Sequence, residues 1–221
     1  MNEIKVLTGS CEGEITEKKS RFIAHAFEIH SEAEALEHIE DLRKSYWDAR
    51  HNCYAYVLGS RNELQRFSDD KEPQGTAGKP ILEVLLNNDL HNTLIVVTRY
   101  FGGILLGTGG LLRAYTASAA AAVDSGIKKG CISSLIKGNP VDIKCDYSLL
   151  GKVQYICAQM ALPLTDTVYE ENVTLKLLVP EDQTASLVKK ITEATSAASA
   201  VTIGPSVAYI LPHGIPVIYD I

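Results

Sequence analysis

Three groups of side chains in the first half of the sequence carry the chemistry that a binding or catalytic site would need. His51-Asn52 and Tyr54 stand at the start of an apolar segment. Asp69–Gly78 is a polar, turn-rich segment that holds three carboxylates within four positions. Arg99-Tyr100-Phe101-Gly102-Gly103 precedes a glycine-rich stretch that ends at Arg113. Carboxylates can hold a hard cation, and arginine is suited to phosphate or carboxylate recognition.

Each group allows both a structural and a functional interpretation. Asp69 and Asp70 lie in a turn, where such side chains commonly accept hydrogen bonds from backbone amides. Together with Glu72 and His51 they could instead surround a divalent cation. Arg99 could contact a ligand phosphate or pair with the acidic segment. We expect no metal site and no cofactor, and the residue pattern does not decide whether the protein is an enzyme, although we favour a non-enzymatic function.

Two glycine-rich segments resemble nucleotide-binding motifs but lack required residues. Gly75-Thr76-Ala77-Gly78-Lys79 is not a phosphate-binding loop, because positions 73 and 80 are proline where the motif needs glycine and a hydroxyl. Gly107-Thr108-Gly109 lacks the third glycine of the dinucleotide motif, because position 112 is leucine. No G-x-S-x-G segment marks a hydrolase nucleophile.

Periodicity predicts the elements that would position these residues. Leu94–Val97 is short, β-branched and unbroken, which is typical of a strand buried on both faces. A glycine loop and an alanine-rich helix follow it, and we expect Gly126 to end that helix before a strand over residues 127–136. Ser31-x-x-Glu34 is a capping box for an earlier helix. Its apolar stripe is predicted as Leu36, Ile39, Leu42 and Tyr46, and a further helix is predicted to open at Lys79-Pro80 with Leu82, Leu85, Leu86 and Leu90 on one face.

The second part of the chain has a different pattern. Gly138-Asn139-Pro140 is the best linker candidate, which gives expected domains of residues 1–137 and 138–221. The order strand, helix, strand, strand, helix, strand follows, with Val173, Leu175, Leu177 and Val179 alternating inward. A βαββαβ order predicts a ferredoxin-like domain, so the fold class is α+β. The proline-containing tail, residues 204–221, is expected to pack as an extended arm.

Composition and charge restrict the class of protein. The formal net charge is −6. Residues 1–137 carry 16 basic and 18 acidic side chains, and residues 138–221 carry 5 and 9, so neither part has the broad positive field of a non-specific nucleic-acid binder. No apolar run or N-terminal segment suggests a membrane span or a secretory signal. Five cysteines without a C-x-x-C pair favour a reducing cytoplasm.

Four segments resemble the IMPACT/YigZ family, in its bacterial two-domain form. They are S-R-F-I at Ser20–Ile23, H-N-C-Y-A-Y at His51–Tyr56, D-D-x-E-P-x-G-T-A-G at Asp69–Gly78, and R-Y-F-G-G-x-x-L-G-x-G-G-L-x-R-A-Y at Arg99–Tyr115. The sequence departs from the family pattern at Lys71, where glycine is common, and at Gln74, where serine is common. Lys71 therefore argues against a requirement for positive φ at this position, and it adds a cation beside the acidic segment.

The resemblance implies a fold and a field of function. The N-terminal domain would be similar to the ribosomal protein S-five domain 2-like fold, and the C-terminal domain to the ferredoxin-like domain V of elongation factor G. Eukaryotic members act in translational control by binding a kinase-activating scaffold protein. For bacterial members the family suggests a role associated with RNA or the ribosome.

We therefore expect a translation-associated regulatory factor that binds structured RNA, the ribosome or a translation-related protein. The alternatives are a small metal-dependent hydrolase or phospho-ligand enzyme that uses the acidic segment, and a pure protein-interaction module. We expect no membrane partner, and the oligomeric state is open. The expected RNA- or partner-binding residues are Arg21, His51, Asn52, Tyr54, Asp69, Asp70, Glu72, Gly75, Thr76, Gly78, Lys79, Arg99, Tyr100, Gly102, Gly103, Gly107 and Arg113.

Overall fold

A computed structural model describes residues 4–219, except for the side chain of His213. The chain forms two compact units that divide between Ser134 and Leu135. Both units combine helices with sheets that are antiparallel except for the parallel pair β1–β6, which confirms the α+β fold class. Among the described residues no helix is both long and apolar enough to cross a membrane.

The N-terminal unit contains eight strands and three helices. In chain order they are β1 (Lys5–Leu7), β2 (Ser10–Glu17), β3 (Ser20–Glu28), α1 (Glu32–Ser45), β4 (His51–Leu58), β5 (Leu64–Ser68), α2 (Gly78–Asn87), β6 (Leu90–His91), β7 (Thr93–Tyr100), α3 (Gly107–Lys129) and β8 (Ile132–Ser134). The main sheet has the order β2-β3-β7-β4-β5, and a small sheet has the order β6-β1-β8.

Strand β7 is the centre of the main sheet and is covered on both faces. Leu94 and Val96 pack in a core cluster with α1, whereas Ile95 and Val97 pack in the larger cluster with α2 and α3. All four side chains are fully buried. The prediction of a strand buried on both faces is therefore confirmed, and the uniform apolar run is explained by helices on both sides.

Helix α1 begins as its capping box predicts but buries a different stripe. The Ser31 hydroxyl accepts a hydrogen bond from the Glu34 amide at 3.2 Å. Its buried residues are Ala35, Ile39 and Leu42, whereas Leu36 is 55% exposed. The prediction for Leu36 was wrong because the small Ala35, rather than the neighbouring leucine, faces the sheet.

Helix α2 begins at Gly78, close to the predicted start, and presents Ile81, Leu82, Val84 and Leu85 to the core. Leu90 is not part of its face, because it lies in β6 after the helix has ended.

Helix α3 continues beyond Gly126, where the sequence suggested an end. It runs to Lys129, and Gly130 closes it in the left-handed conformation at φ 71°. Gly126 is instead a packing residue, since a Cβ there would lie 2.9 Å from both Cys11 Sγ and Ile132 Cδ1. The predicted strand over residues 127–136 is thus wrong in its first part, and β8 begins only at Ile132.

The closest approach of α3 to the main sheet occurs at Gly13. A Cβ on Gly13 would lie 2.3 Å from the backbone nitrogen of Ala122, closer than packed atoms can approach. We expect Gly13→Ala to destabilise the protein by about 1–3 kcal/mol in urea denaturation, because α3 or β2 must move. Gly109→Ala, with open space at its Cβ, should stabilise α3 by about 0.5–1 kcal/mol. Equal stability of Gly13→Ala and the wild type would contradict this packing.

The C-terminal unit contains the remaining elements. They are β9 (Ile136–Cys145), α4 (Tyr147–Gln159), β10 (Leu164–Tyr169), β11 (Val173–Pro180), α5 (Glu181–Ala194), β12 (Ala200–Ile203), β13 (Val207–Ile210), a 3-10 turn at Pro212–Gly214 and β14 (Val217–Ile218). Strands β12, β9, β11 and β10 pair in that order, which is the antiparallel ferredoxin-like arrangement. The predicted inward alternation along β11 is confirmed, because all four apolar side chains are buried.

Two expectations about the ends of this unit need comment. Gly138, Asn139 and Pro140 do not form a linker, because they lie inside β9 and pair with β11. The tail is extended in β13 and β14, which pair with β9 and with each other, but a 3-10 turn at Pro212–Gly214 interrupts it. The last two positions of the expected arm, 220 and 221, lie outside the described residues.

Candidate functional site

The register of the main sheet brings two of the three sequence groups together. Strands β4 and β7 pair so that His51 lies opposite Arg99. The acidic segment joins them, because His51 Nδ1 lies 2.9 Å from the Asp70 carbonyl oxygen and the Asn52 amide donates to Asp70 Oδ2 at 2.7 Å. Side chains separated by up to 48 positions thus meet at one end of the sheet.

Glu72 is the centre of this network. Its Oε1 accepts hydrogen bonds from Arg99 Nη1 at 2.5 Å and from the Tyr115 hydroxyl at 2.8 Å. His51 Nε2 lies 3.9 Å from the same oxygen. Arg99 and Glu72 are buried, with 5% and 9% exposure. Of the two interpretations of Arg99, the structure shows pairing with the acidic segment, where an opposite charge compensates the loss of hydration.

The Arg99 side chain is held on its other sides by aromatic rings. Its Cζ lies 5.3 Å from the centre of the Phe22 ring and 5.6 Å from that of Phe101. These distances allow cation–π attraction between the guanidinium and both rings. Its Nε is buried and has no hydrogen-bond partner in the structure.

Cys53 and Tyr115 lie beside the Glu72 network but are poor candidates for a nucleophile. Cys53 Sγ lies 3.0 Å from the Asp69 carbonyl oxygen and 3.4 Å from the Tyr115 hydroxyl. Burial, as the main cause, raises the pKa of both the Cys53 thiol and the Tyr115 phenol far above their usual ranges. Both groups therefore stay protonated at neutral pH and serve as hydrogen-bond donors.

The carboxylates of the acidic segment have separate tasks. Asp69 Oδ1 accepts from the Ala77 and Gly78 amides at 3.0 and 2.8 Å, and Oδ2 accepts from the Gly75 amide at 2.8 Å. Asp70 holds β4, and Glu72 holds Arg99. Within residues 4–219 no three His, Cys, Asp or Glu side chains are grouped as metal ligands. The structural interpretation, that the aspartates accept from backbone amides, is confirmed.

The backbone at Lys71 corrects one expectation from the sequence. Lys71 has φ 70°, although its side chain suggested that positive φ was not required. A lysine in this region is strained relative to glycine. The position thus has the conformation that the glycine common in the family would favour.

We expect Lys71→Gly to raise the free energy of unfolding by up to about 1 kcal/mol in urea denaturation, because it relieves this strain. Lys79→Gly is the matched control, since Lys79 is exposed in α2 and should lose about 0.5–1 kcal/mol. Destabilisation of both variants would contradict the expectation.

Other predicted site residues lie outside the network. Arg21 forms a two-pronged ion pair with Glu14, both nitrogen–oxygen distances being 2.7 Å. The Tyr100 hydroxyl donates to Asp48 at 2.8 Å, and the Tyr54 ring stacks near Tyr56 with centres 6.2 Å apart. Arg113 lines a separate cavity of about 230 Å³ with Glu17 and Lys18.

The remaining predicted residues shape the backbone or begin a helix. Gly102 lies against the Lys19–Ser20 backbone, where a Cβ would come within 2.0 Å of Lys19. Thr76 donates to the Pro73 carbonyl oxygen at 2.6 Å. Three glycines have positive φ, namely Gly75, Gly103 and Gly107. Gly78 and Lys79 are the first two residues of α2.

A cavity of about 400 Å³ opens beside the Glu72 network. His51, Glu72, Arg99 and Gly107 among the predicted residues line it, and so do Arg50 and Thr108, which sequence reasoning missed. Tyr115, the last residue of the Arg99–Tyr115 motif, was missed as well. Its position inside a helix gives no indication in the sequence that its hydroxyl donates a hydrogen bond. Only the fold places its hydroxyl on Glu72.

Comparison with known proteins gives matches in both units. Residues 18–123 match the family model described as the Impact N-terminal domain, and residues 143–198 match one described as a domain of unknown function (DUF1949). A solved structure described as the crystal structure of a hypothetical protein is 29% identical, with a TM-score of 0.55, and the match covers 91% of this chain and 97% of that one.

Two bacterial proteins match over most of their length. The chain is 40% identical over 193 residues to the IMPACT family member YvyE of Bacillus subtilis (strain 168), with 87% of each chain covered. It is 33% identical over 178 residues to the IMPACT family member YigZ of Escherichia coli (strain K12), with 80% of this chain and 85% of that protein covered. The resemblance expected from the motifs is thereby confirmed, and the chain belongs to the IMPACT family.

Proposed function

We propose that this protein is a non-enzymatic, cytoplasmic, translation-associated regulatory factor that acts by binding a protein of the translation apparatus. Membership in the IMPACT family supports a role in translational regulation, since its eukaryotic members are expected to act there through a protein partner. The N-terminal unit is the part through which we expect the partner to bind.

The observation that carries this proposal is an exposed apolar surface beside the family motif. Phe101, Ile104 and Leu105 lie in the loop between β7 and α3, and Leu112 follows in the second turn of α3. They are 43%, 44%, 83% and 45% exposed, respectively. We call these four residues the loop patch. Several exposed apolar side chains within twelve positions of the chain are more than scattered surface residues, and exposed apolar patches are typical of protein-interaction sites.

The charges of the N-terminal unit favour a protein partner over RNA. Of the three arginines among the expected binding residues, Arg21 is paired with Glu14 and Arg99 is buried with Glu72, whereas Arg113 lines a cavity with Glu17 and Lys18. The net charge of −6 supplies no general attraction for a polyanion. Structured RNA and the ribosome therefore remain targets to be tested rather than the preferred ones.

The loop patch suggests a direct experiment on the full-length chain. Tagged wild type would be incubated with a nuclease-treated cell extract, and retained ribosomal proteins and translation factors would be quantified by mass spectrometry. We expect Ile104→Ser to reduce their recovery several-fold, because it removes an exposed apolar contact. Ile127→Ser is the matched control, since Ile127 is 50% exposed but lies near the other end of α3.

Co-sedimentation with ribosomes at physiological salt separates the remaining possibilities. Binding that nuclease abolishes would favour the RNA alternative. If no translation protein is enriched, or if Ile104→Ser and Ile127→Ser behave alike, the proposed binding surface is wrong.

The alternative of a metal-dependent hydrolase is tested separately. Phosphatase and nuclease substrates would be screened with Mg²⁺ and Mn²⁺ for the wild type and Asp70→Asn. Turnover that Asp70→Asn removes without unfolding the protein would establish this alternative and overturn the non-enzymatic assignment. We expect no turnover, because Asp69, Asp70 and Glu72 are each engaged with different protein groups.

A further inference from the structure

The 400 Å³ cavity of the N-terminal unit has a strongly basic lining. Arg50, His51, Lys71 and Arg99 border it, and Glu72 is the one acidic residue among its lining side chains. Oε1 of Glu72 already accepts hydrogen bonds from Arg99 and Tyr115. The groups that border the cavity would thus favour an anion over a cation or a neutral ligand.

The start of α3 adds a second source of positive potential. Gly107 and Thr108, the first two residues of α3, line the same cavity. No side chain caps this end of the helix, and its first turn contains no acidic residue. The first amides of a helix have no partner within the helix, and the dipole of a 23-residue helix favours an anion there.

Arg99 adds a buried cation to the lining of the cavity. Only 5% of its surface is exposed, and it borders the cavity. Its Nε donor has no hydrogen-bond partner. An unmatched donor on a buried charged group is costly, so structures rarely retain one without a reason. An anion in the cavity would lie beside this guanidinium, whose Nη1 is already paired with Glu72.

Part of the cavity lining is apolar. Phe101, Leu105 and Leu111 border it, and Pro73 adds a further hydrophobic surface. A volume of about 400 Å³ exceeds what one phosphate group needs and falls within the range of small-molecule sites. The cavity therefore combines a place for an anionic group with a place for an organic body.

We propose that this cavity binds a small organic phosphomonoester, with its phosphate at the start of α3 near Arg99 and its organic body against Phe101 and Leu105. The site shares Phe101 and Leu105 with the loop patch but does not include Ile104, and the proposal does not require that the protein act in translation. Its ligand could regulate partner binding, because Phe101 and Leu105 belong to both surfaces.

The test measures the binding of phenyl phosphate to the purified 221-residue chain. The method is isothermal titration calorimetry at pH 7.5 and fixed ionic strength. We expect saturable binding to the wild type. Thr108→Asp should weaken it by about tenfold or more, because the new carboxylate occupies the exposed first turn of α3 and repels the phosphate. The variant should remain folded, since an acid at a helix start is stabilising.

Ala117→Asp is the charge-matched control. Ala117 is exposed and lies nine positions further along α3, which places the added charge about 13 Å from the first turn. It should leave binding within about twofold of the wild type. Absence of saturable binding, or equal binding by Thr108→Asp and Ala117→Asp, would overturn the proposed site.

A second comparison tests the organic body of the ligand. Leu105→Ser should weaken phenyl phosphate severalfold but leave inorganic phosphate unchanged, because only the former reaches the apolar side. If inorganic phosphate binds the wild type as tightly as phenyl phosphate does, the site does not recognise an organic phosphomonoester. No translation partner is present in these titrations, so absence of phenyl phosphate binding would leave the proposed function intact. Absence of translation proteins in the extract experiment would likewise leave the proposed cavity ligand intact.

Discussion

Replacing Arg99 by methionine is expected to destabilise the N-terminal unit by about 3–5 kcal/mol, because it leaves the Glu72 carboxylate buried without its opposite charge. The pair is nearly inaccessible to water, with side-chain exposures of 6% and 4%. Methionine retains most of the apolar volume between Phe22 and Phe101, so a packing defect contributes little. Urea denaturation followed by circular dichroism measures the loss.

The double variant Arg99→Met/Glu72→Gln separates the charge effect from the rest. It removes both charges and leaves an amide oxygen to accept from Tyr115. We expect it to be more stable than Arg99→Met alone, which gives a coupling energy of about 1–3 kcal/mol in the double-mutant cycle. Additive effects of the two substitutions would show that the buried pair does not act as a unit.

Removing the Asp69 carboxylate is expected to cost about 2–4 kcal/mol in Asp69→Ala, because three backbone amides lose a charged acceptor. Two of these amides, Ala77 and Gly78, lie at the start of α2, where Ala77 offers no side-chain cap of its own. The third, Gly75, closes the turn. Asp69 therefore caps α2 from a position eight residues before the cap, and its loss should release both the turn and the helix start.

Two variants control this prediction. Asp69→Asn keeps one acceptor oxygen and should show an intermediate loss in the same urea denaturation experiment. Glu83→Ala removes an exposed carboxylate from α2 and should change the free energy of unfolding by less than about 0.5 kcal/mol. If Asp69→Ala is as stable as Glu83→Ala, the three hydrogen bonds contribute nothing measurable.

Much of the element pattern could be predicted because it depends on local periodicity. The apolar run Leu94–Val97, the capping box at Ser31 and the alternation along β11 each identified an element correctly. Errors arose where a residue's task depends on a distant neighbour. Gly126 was assigned as a helix end, whereas it lies inside α3 and leaves space for Cys11 of β2 and Ile132 of β8. Leu36 fitted a helical stripe but faces solvent, because Ala35 is the side chain that the sheet can accommodate.

The candidate site follows the same division. The sequence alone identified the motif residues, the α+β class, the two-part organisation pattern and the absence of a complete nucleotide motif, since these depend on residue type and spacing. Only the tertiary structure decided which carboxylate meets which partner, because strand pairing joins positions that are tens of residues apart. Arg99 illustrates the reason. The sequence allowed it either to contact a ligand or to pair with the acidic segment, and the fold buries it on Glu72, which also accepts a hydrogen bond from Tyr115.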